Sequence, residues 1–381
     1  MIYSICIDWL AVFCLWNEPL TDAPERSGDR PSWVPAERST DGELGDVYDW
    51  QYKLLPYGSR QFSQIHSVSI PNAEGGRDEF AEVQSRPYSK VLHHDAIIVR
   101  FVNRALYMPD FWELATMFLE QNHFVFKSIS RIDICADFNQ FATMEPRALI
   151  EGFAAKKFRH VGRGLGALYF NHGLITDQVT HEREYGVCYN GLSFGTHASD
   201  CRVYLYNKSF ELNTQGDKPW IRDVWHRIGL DVRNVWRLEV SIKGKGMKFK
   251  CRQSGKVINI DQNVAQDTEE LAKIYHTFVA RLFAFVKNRK GITNISREPR
   301  ITLFDGHFHY IRGVIRNKTG ATRTEKIILK ALYQLGDKYR GGDIHALGLE
   351  GQAFAFELAH SCDLESWLAE RVQEWEKPIH K

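Results

Sequence analysis

The sequence lacks the cysteine patterns that accompany disulfide frameworks and structural zinc sites. Its 381 residues include seven cysteines, an odd number without regular spacing, and no Cys-x-x-Cys pair. Disulfide-rich folds and structural zinc sites both depend on paired cysteines at characteristic spacings. The sequence therefore argues against both and predicts a protein of a reducing compartment, which we take to be the cytoplasm.

Long hydrophobic runs, internal repeats and low-complexity tracts are also absent. The most apolar stretch, residues 1–16, is interrupted by Asp8 and has no basic leader. It therefore predicts a buried first strand rather than a signal peptide or a membrane span, and we expect no membrane association. With 44% hydrophobic and 25% charged residues, the chain is long enough to bury a large core.

The net charge is small, but it is unevenly distributed. The chain carries a formal charge of +2, yet residues 1–50 contain ten acids and three bases, while residues 281–330 contain twelve Lys or Arg and three acids. A second basic run, residues 243–256, contains no acid. Such blocks occur on ordinary solvated surfaces, but they are also typical of surfaces that bind a phosphate backbone. From these two runs we expect DNA contacts by Lys243, Lys245, Lys287, Arg289 and Lys290.

Three segments alternate hydrophobic residues with charged or aromatic ones, which is the pattern of a half-buried strand. They are residues 131–137 (Arg-Ile-Asp-Ile-Cys-Ala-Asp), 202–208 (Arg-Val-Tyr-Leu-Tyr-Asn-Lys) and 237–243 (Arg-Leu-Glu-Val-Ser-Ile-Lys). Successive side chains of a strand point to opposite faces, so each segment would present one polar face. The residues on these faces are Arg131, Asp133 and Asp137; Arg202, Tyr204, Tyr206 and Lys208; and Arg237, Glu239 and Lys243.

The residue types on these faces favour cleavage of nucleic acid. Tyr206 would lie between two cations, Arg202 and Lys208, which can stabilise a phenolate and neutralise a phosphate. Carboxylates are hard ligands suited to Mg²⁺ or Mn²⁺, and arginine binds phosphate through parallel hydrogen bonds. Each segment alone is equally compatible with a solvated strand face held by cross-strand ion pairs. The three together favour metal-assisted strand cleavage by a tyrosine.

The order of these motifs resembles that of the replication initiation factor family, which comprises rolling-circle plasmid initiators and related relaxases of integrative elements. The resemblance covers roughly residues 1–245, with unmatched stretches between the motifs. Residues 194–200 (Phe-Gly-Thr-His-Ala-Ser-Asp) are similar to a Gly-Ser-x-x-Ser-Asp stretch of that family. The other motifs are Ile7-Asp8-Trp9-Leu10, Arg131-Ile132-Asp133 with Asp137, Tyr206-Asn207-Lys208 with Glu211, and Arg237-Leu238-Glu239.

The resemblance implies a site-specific nickase and ligase that becomes attached to a 5′ phosphate of single-stranded or cruciform origin DNA. Tyr206 would be the nucleophile, in preference to Tyr204, because it matches the family's Tyr-x-Lys-x-x-Glu pattern. Arg202 and Lys208 would stabilise the charge of the phosphate and the phenolate. A second copy of the chain and a helicase of the host are candidate partners.

The same resemblance suggests a set of metal ligands and DNA contacts. Asp133 and Glu239, with Asp137 as a third ligand, would hold one Mg²⁺ or Mn²⁺. Arg131 and Arg237 would contact the DNA. A rival ligand pair is His307 and His309, which would share one face of a strand and which resemble the metal-binding histidines of the wider nickase superfamily.

Two other functions remain open from the residues alone. The protein could be a non-catalytic DNA-binding replication or partition factor, with its basic faces on phosphates and its tyrosines stacked on bases. It could also be a metal-dependent nuclease that uses water instead of tyrosine. A covalent protein–DNA adduct would distinguish the first function from both of these.

The pattern along the chain predicts an α+β fold, with an antiparallel-sheet nicking domain on which helices pack. We expect this domain to span residues 1–260, with a mobile acidic loop at about 18–46. Residues 261–381 would form a smaller, basic and partly helical DNA-recognition module. The periodicity of apolar residues predicts helices at 109–122, 146–156, 268–286, 324–335 and 364–375.

Overall fold

The computed structural model describes residues 2–16, 49–88, 95–162, 166–176, 183–196, 198–251, 257–291, 294–306 and 314–316, together with Glu357 and His360. The strands in this part are β1 (Tyr3–Trp16), β2 (Gln51–Leu54), β3 (Phe62–Pro71), β4 (Arg77–Pro87), β5 (Ala96–Phe101), β6 (Phe124–Phe138), β7 (Phe158–His160), β8 (Gly166–Thr176), β9 (Arg183–Phe194), β10 (Cys201–Asn207), β11 (Trp236–Lys243), β12 (Lys248–Cys251), β13 (Val257–Asn259), β14 (Phe285–Lys287) and β15 (Val314–Arg316).

The helices of the same part are fewer than the strands. They are α1 (Phe111–Gln121), α2 (Pro146–Ala154), α3 (Lys208–Gln215), α4 (Pro219–Ile228), α5 (Gln262–Gln266) and α6 (Thr268–Leu282). Three short 3₁₀ helices accompany them at Ala105–Tyr107, Gly244–Met247 and Ile295–Arg297.

Ten strands form one large sheet in the order β2-β3-β4-β5-β1-β6-β11-β10-β9-β8. Every neighbouring pair in this sheet is antiparallel. The two long strands β1 and β6 lie side by side at its centre, with β11 and β10 next to them. The protein therefore has an α+β fold built on an antiparallel sheet, as the sequence predicts.

One face of the sheet is apolar and is covered by helices. The alternate residues of β6 and β11 on this face, such as Ile134 and Val240, are fully buried. Helix α6 packs here, and the hydroxyl of its Tyr275 donates a hydrogen bond to the backbone oxygen of Leu238 (3.0 Å). Helix α1 packs against the other half of the same face, where Phe118 joins the common core. Burial of this face supplies most of the hydrophobic stabilisation of the fold.

Helix α6 begins at a capping residue and ends earlier than the sequence predicts. The side chain of Asp267 caps it by accepting hydrogen bonds from the backbone N–H groups of Glu269 (2.8 Å) and Glu270 (3.1 Å), which satisfies donors that the helix itself leaves unpaired. The helix ends at Leu282, not at residue 286. Phe285, which falls within the predicted helix 268–286, lies instead in β14 and is fully buried there.

The domain boundary predicted between residues 260 and 261 does not separate two cores within the described residues. Tyr275 and Phe278 of α6 belong to the same buried cluster as Leu238 of β11 and Ile134 of β6. Residues up to 306 therefore pack with the sheet. The predicted loop at 18–46, the predicted helices at 324–335 and 364–375, and most of the predicted C-terminal module lie outside the described residues.

The opposite face of the sheet is polar at its centre and is covered at one end by α3 and α4. A small separate cluster of buried side chains, Leu212, Ile221, Trp225, Leu230 and Val235, holds these two helices together. No helix in the described part of the chain is long and apolar enough to span a membrane.

Replacing Phe278 with alanine tests the packing of α6 on the sheet. Phe278 is 1% exposed and its ring lies edge-on to that of Phe249, 5.5 Å away. Phe278→Ala should lower the free energy of unfolding by about 3–5 kcal/mol, because it leaves a cavity in the common core. Urea denaturation measures this loss. Tyr57→Ala, at a site that is 60% exposed, is the control, and equal losses in both variants would contradict the packing.

Candidate active site

The antiparallel register brings the three polar segments onto one face of the sheet. Across β10, β11 and β6, Tyr206 lies opposite Arg237, and Arg237 lies opposite Asp137. Tyr204 lies opposite Glu239 in the neighbouring row. Residues that are directly opposite in an antiparallel pair point to the same face, so the faces predicted separately from three segments form one surface.

Arg237 is fully buried between carboxylates from two other strands. Its Nε and Nη2 donate hydrogen bonds to the two carboxylate oxygens of Asp137 at 2.6 and 2.7 Å, and its Nη1 donates to Asp8. The indole of Trp225 donates a further hydrogen bond to Asp137 (2.7 Å), and Nη2 of Arg237 contacts the hydroxyl of Tyr107 at 3.2 Å. Buried charges are tolerated only when they are paired and hydrogen-bonded in this way. Arg237 therefore holds three strands together, and it is not available to DNA as the sequence suggested.

Asp8 is a component of the site that the sequence analysis named in a motif but to which it gave no role. It lies in β1 where the register with β6 shifts between Ile7 and Trp9, and its carboxylate also accepts a hydrogen bond from Asn103 (3.0 Å). Burial alone would raise the pKa of Asp8, but Arg237 and other nearby cations lower it to about 2. Asp8 is therefore a permanent negative charge. Its signal in the sequence was a lone acid within an apolar stretch.

The hydroxyl of Tyr206 contacts the side chains of Glu239 and Lys208. It donates a hydrogen bond to Oε2 of Glu239 (3.1 Å), and Nζ of Lys208 lies 3.5 Å from the phenol oxygen. Lys208 also forms an ion pair with Glu211 (2.5 Å). Burial, followed by the nearby carboxylate of Glu239, raises the pKa of Tyr206 well above its usual value. The phenol is therefore protonated at neutral pH, and its ionisation requires transfer of the proton to a neighbouring group.

Lys208 reaches this position from a helix, not from the strand that the sequence predicted. Strand β10 ends at Asn207, whose side chain accepts a hydrogen bond from the backbone N–H of Phe210 (2.8 Å) and so caps α3. Lys208 is the first residue of that helix and its side chain is almost completely buried. Asparagine is one of the strongest helix-capping residues, which explains why the strand stops there.

Tyr204 is stacked on Tyr206, with ring centroids 4.5 Å apart. Its ring lies directly over Gly191 of β9, where an added Cβ would come within 2.8 Å of the Tyr204 ring and 2.9 Å of a backbone oxygen. A side chain at position 191 would therefore displace the ring. Burial raises the pKa of Tyr204 to about 12, despite the favourable charge of Arg202.

The predicted metal ligands occupy three different environments. Both carboxylate oxygens of Asp133 accept hydrogen bonds from Arg131, and both oxygens of Asp137 are taken by Arg237. Burial, followed by the charges of Asp8 and Asp133, raises the pKa of Glu239 to about 8. In the part of the chain that the structure describes, no group of three or more His, Cys, Asp or Glu is arranged to hold a metal ion. As they stand, Asp133, Glu239 and Asp137 do not form a ligand set.

These side chains line an open cleft of about 580 Å³. The lining includes six carboxylates, from Asp8, Glu79, Glu82, Asp133, Glu211 and Glu239, and four cations, from Arg100, Arg131, Lys208 and Lys218. Asp137 and Arg237 lie beneath this surface rather than in its wall. Acidic side chains therefore outnumber basic ones in the wall of the cleft.

The basic residues predicted to bind DNA lie in two separate places. Lys243 borders the polar face, in the wall of a small cavity beside the cleft, and Lys245 is exposed in the 3₁₀ helix that follows β11. Lys287, Arg289 and Lys290 are exposed in and after β14. Because β14 follows α6, which covers the apolar face, these three residues do not line the cleft. His307 and His309 lie outside the described residues.

Comparisons with known proteins add little to this geometry. No protein-family model matches the chain, and no curated protein matches it. The chain is similar to a solved structure of the rolling-circle replication initiator protein from Geobacillus stearothermophilus, at 14% identity over 78% of this chain and 92% of that chain, with a TM-score of 0.39. At this TM-score the likeness carries no argument about function, which must rest on the residues themselves.

Replacing Asp137 with asparagine tests the ion pairs that hold the site together. Asp137→Asn should lower the free energy of unfolding by roughly 3 kcal/mol, because one partner of a buried pair is removed. Urea denaturation measures the effect. Asp231→Asn, which breaks an exposed pair with Arg233, is the matched control and should change stability little. Equal effects of the two substitutions would mean that the buried pair does not anchor the strands.

Proposed function

We propose that this protein nicks and rejoins single-stranded DNA at an origin, as rolling-circle replication initiators and relaxases do, through a covalent bond between Tyr206 and a 5′ phosphate. One observation carries the proposal. Within a single cleft, the hydroxyl of Tyr206 donates a hydrogen bond to Glu239 at 3.1 Å and lies 3.5 Å from the ammonium group of Lys208. A nucleophile in contact with a base and with a stabilising cation is the arrangement that covalent catalysis requires.

The reaction follows from these two contacts. When Glu239 is ionised, Tyr206 transfers its proton to that carboxylate as its oxygen attacks phosphorus, so that one O–P bond forms. Because the pKa of Glu239 is raised to about 8, the ionised form gains population as the pH rises towards that value. The bond between phosphorus and the 3′ oxygen breaks, and that oxygen takes a proton from solvent to become a free 3′ hydroxyl. The phosphotyrosine bond retains the energy of the phosphodiester, so attack by a 3′ hydroxyl restores the strand without ATP.

Lys208 stabilises the negative charge that develops on the phenol oxygen. Because its side chain is only 2% exposed, little water competes with this interaction, and electrostatic stabilisation is stronger in such a site than in solvent. Glu211, in contact with Lys208 at 2.5 Å, positions the ammonium group. Arg202, which borders the cavity beside Tyr204, would contact the phosphate backbone of the bound strand.

A requirement for Mg²⁺ or Mn²⁺ stays a prediction, and no step above depends on a metal. Asp133 and Glu239 line the cleft and are hard oxygen donors. Both are engaged by other side chains, and Asp137 lies outside the cleft wall. A metal site would therefore require Arg131 to release Asp133 when DNA binds. Single-stranded or cruciform origin DNA, a second copy of the chain and a helicase of the host are proposed partners on the same basis.

Substitution of the two stacked tyrosines distinguishes the nucleophile. Tyr206→Phe should bind single-stranded DNA as the wild type does and should release no free 3′ hydroxyl, because only the attacking oxygen is lost. Tyr204→Phe is the matched control and should still cleave. Incubation with labelled oligonucleotides from the DNA around the coding region, followed by denaturing electrophoresis, measures both. Cleavage by Tyr206→Phe without an adduct would indicate a nuclease that uses water.

Replacement of the two acids in the cleft tests the metal prediction. Asp133→Ala and Glu239→Ala should each abolish Mn²⁺-dependent cleavage and weaken Mn²⁺ binding to the folded protein, because hard oxygen ligands are removed. Calorimetric titration with Mn²⁺ provides a measure that does not depend on activity. His307→Ala with His309→Ala is the comparison. Loss of Mn²⁺ binding only in the histidine variant would show that the carboxylates are not the ligands.

A further inference from the structure

A second, smaller cavity opens beside the main cleft on the polar face of the sheet. Its volume is about 50 Å³, and it shares Arg131, Tyr204 and Glu239 with the larger cleft. It is far smaller than the main cleft, whose volume is about 580 Å³. The side chains that give it its character are Arg131, Arg202, Lys243, Thr196, Ser199 and Ser241.

The balance of charge differs between the two cavities. The small cavity is lined by three cations, from Arg131, Arg202 and Lys243, of which Arg131 is already paired with Asp133, and by a single carboxylate, from Glu239. The large cleft has six carboxylates and four cations. An anionic group entering this face of the sheet is therefore attracted to the small cavity and repelled from much of the large one.

Hydroxyl groups complete the lining in a way that suits an anion with several oxygens. The backbone N–H of Thr196 donates a hydrogen bond to Oγ of Ser199 (3.0 Å), and the two hydroxyls lie 3.2 Å apart. This turn follows Gly195, which has φ +90° and where an added Cβ would lie 2.9 Å from a backbone oxygen. Only glycine fits there without strain, so the turn is held in a specific shape.

The turn is also attached to the strand that supplies the lysine. The backbone N–H of Lys243, the last residue of β11, donates a hydrogen bond to the backbone oxygen of Asp200 (2.8 Å). This contact joins the hydroxyl-bearing turn to the cationic end of β11. Thr196 and Ser199, from the segment that the sequence singled out without giving it a role, thereby line the cavity.

We propose that this cavity binds a phosphate group, and that its ligand is a phosphodiester of the same DNA strand, adjacent to the one that Tyr206 attacks. Tyr204 forms a wall of the cavity and is stacked on Tyr206 at 4.5 Å, so the cavity lies one aromatic ring beyond the nucleophile. Charge-assisted hydrogen bonds from Arg and Lys to phosphate oxygens would fix the position of the strand in the acidic cleft. This inference rests on the proposed function, since it names where that function's substrate is held.

Oligonucleotides with a single uncharged methylphosphonate linkage provide the test. Binding is measured by fluorescence anisotropy with Tyr206→Phe protein, so that no cleavage is required. The uncharged linkage should weaken binding roughly tenfold at one position next to the cleaved bond, because charge-assisted hydrogen bonds are lost. Lys243→Met in the same background should weaken binding of the unmodified strand, and the methylphosphonate at that position should then cause no further loss.

Controls separate the possible failures. Ser199→Ala removes one hydroxyl with little change of volume, and it should show the same non-additivity if Lys243→Met does not fold. Lys53→Ala, on the outer strand β2, is a negative control. It should leave the loss of binding caused by the methylphosphonate unchanged. If the methylphosphonate still weakens binding by its full amount in the Lys243 and Ser199 variants, and the wild type still forms covalent conjugates, the phosphate site in the cavity is wrong and the proposed function stands. Absence of both binding and conjugates would overturn the proposed function and this inference together.

A second arm uses inorganic phosphate and distinguishes DNA from a free phosphate. If the cavity holds a phosphodiester of the strand, millimolar phosphate should compete with the oligonucleotide in Lys53→Ala but not in Lys243→Met. Thermal stabilisation by phosphate that depends on Lys243, together with additive losses in the methylphosphonate series, would show that the cavity takes a free phosphate, and the inference would be wrong.

Discussion

The buried guanidinium group of Arg237 is the constraint on which the rest of the site depends. Its charge is compensated by Asp8 on β1 and Asp137 on β6, so the three strands must pair in the register that brings these groups together. The same register places Tyr206 opposite Arg237 and Tyr204 opposite Glu239. A buried ion pair adds little net stability compared with an apolar core, but breaking one is costly. Arg237 therefore specifies the arrangement of the strands more than it strengthens it.

The cleft combines an acidic surface with a phenol, that of Tyr206, whose pKa is raised well above its usual value. Both properties oppose attack on a phosphate. The acidity comes from the carboxylates that line the cleft, and the raised pKa of Tyr206 comes from its burial and then from the nearby Glu239. Lys208 and the cationic cavity beside Tyr204 favour the attack, because they stabilise negative charge on the phenol oxygen and on the DNA strand. The site therefore separates two tasks, with Glu239 and Lys208 acting on the nucleophile and the smaller cavity holding the strand.

The sequence was sufficient for the three strands β6, β10 and β11 and for the face that their polar residues share, because alternation with a period of two is a local property. It was not sufficient for the role of Asp8, which depends on a contact with Arg237 across 229 positions. Lys208 was predicted in a strand because the capping of α3 by Asn207 was not recognised. Phe285 was predicted in a helix because a buried residue in a short strand and one in the last helical turn have the same apolar character. The division of charge between the two cavities depends on side chains from several elements, and no single segment predicts it.

A peptide map of the wild-type protein after incubation with single-stranded oligonucleotides tests the central claim most directly. If Tyr206 is the nucleophile, tandem mass spectrometry of the denatured, nuclease-treated conjugate should find a nucleotide 5′ phosphate on the peptide that contains residues 203–208, with the added mass on Tyr206. A conjugate on Tyr204 or on a tyrosine outside β10 would contradict the account. So would strand cleavage with no conjugate at any tyrosine.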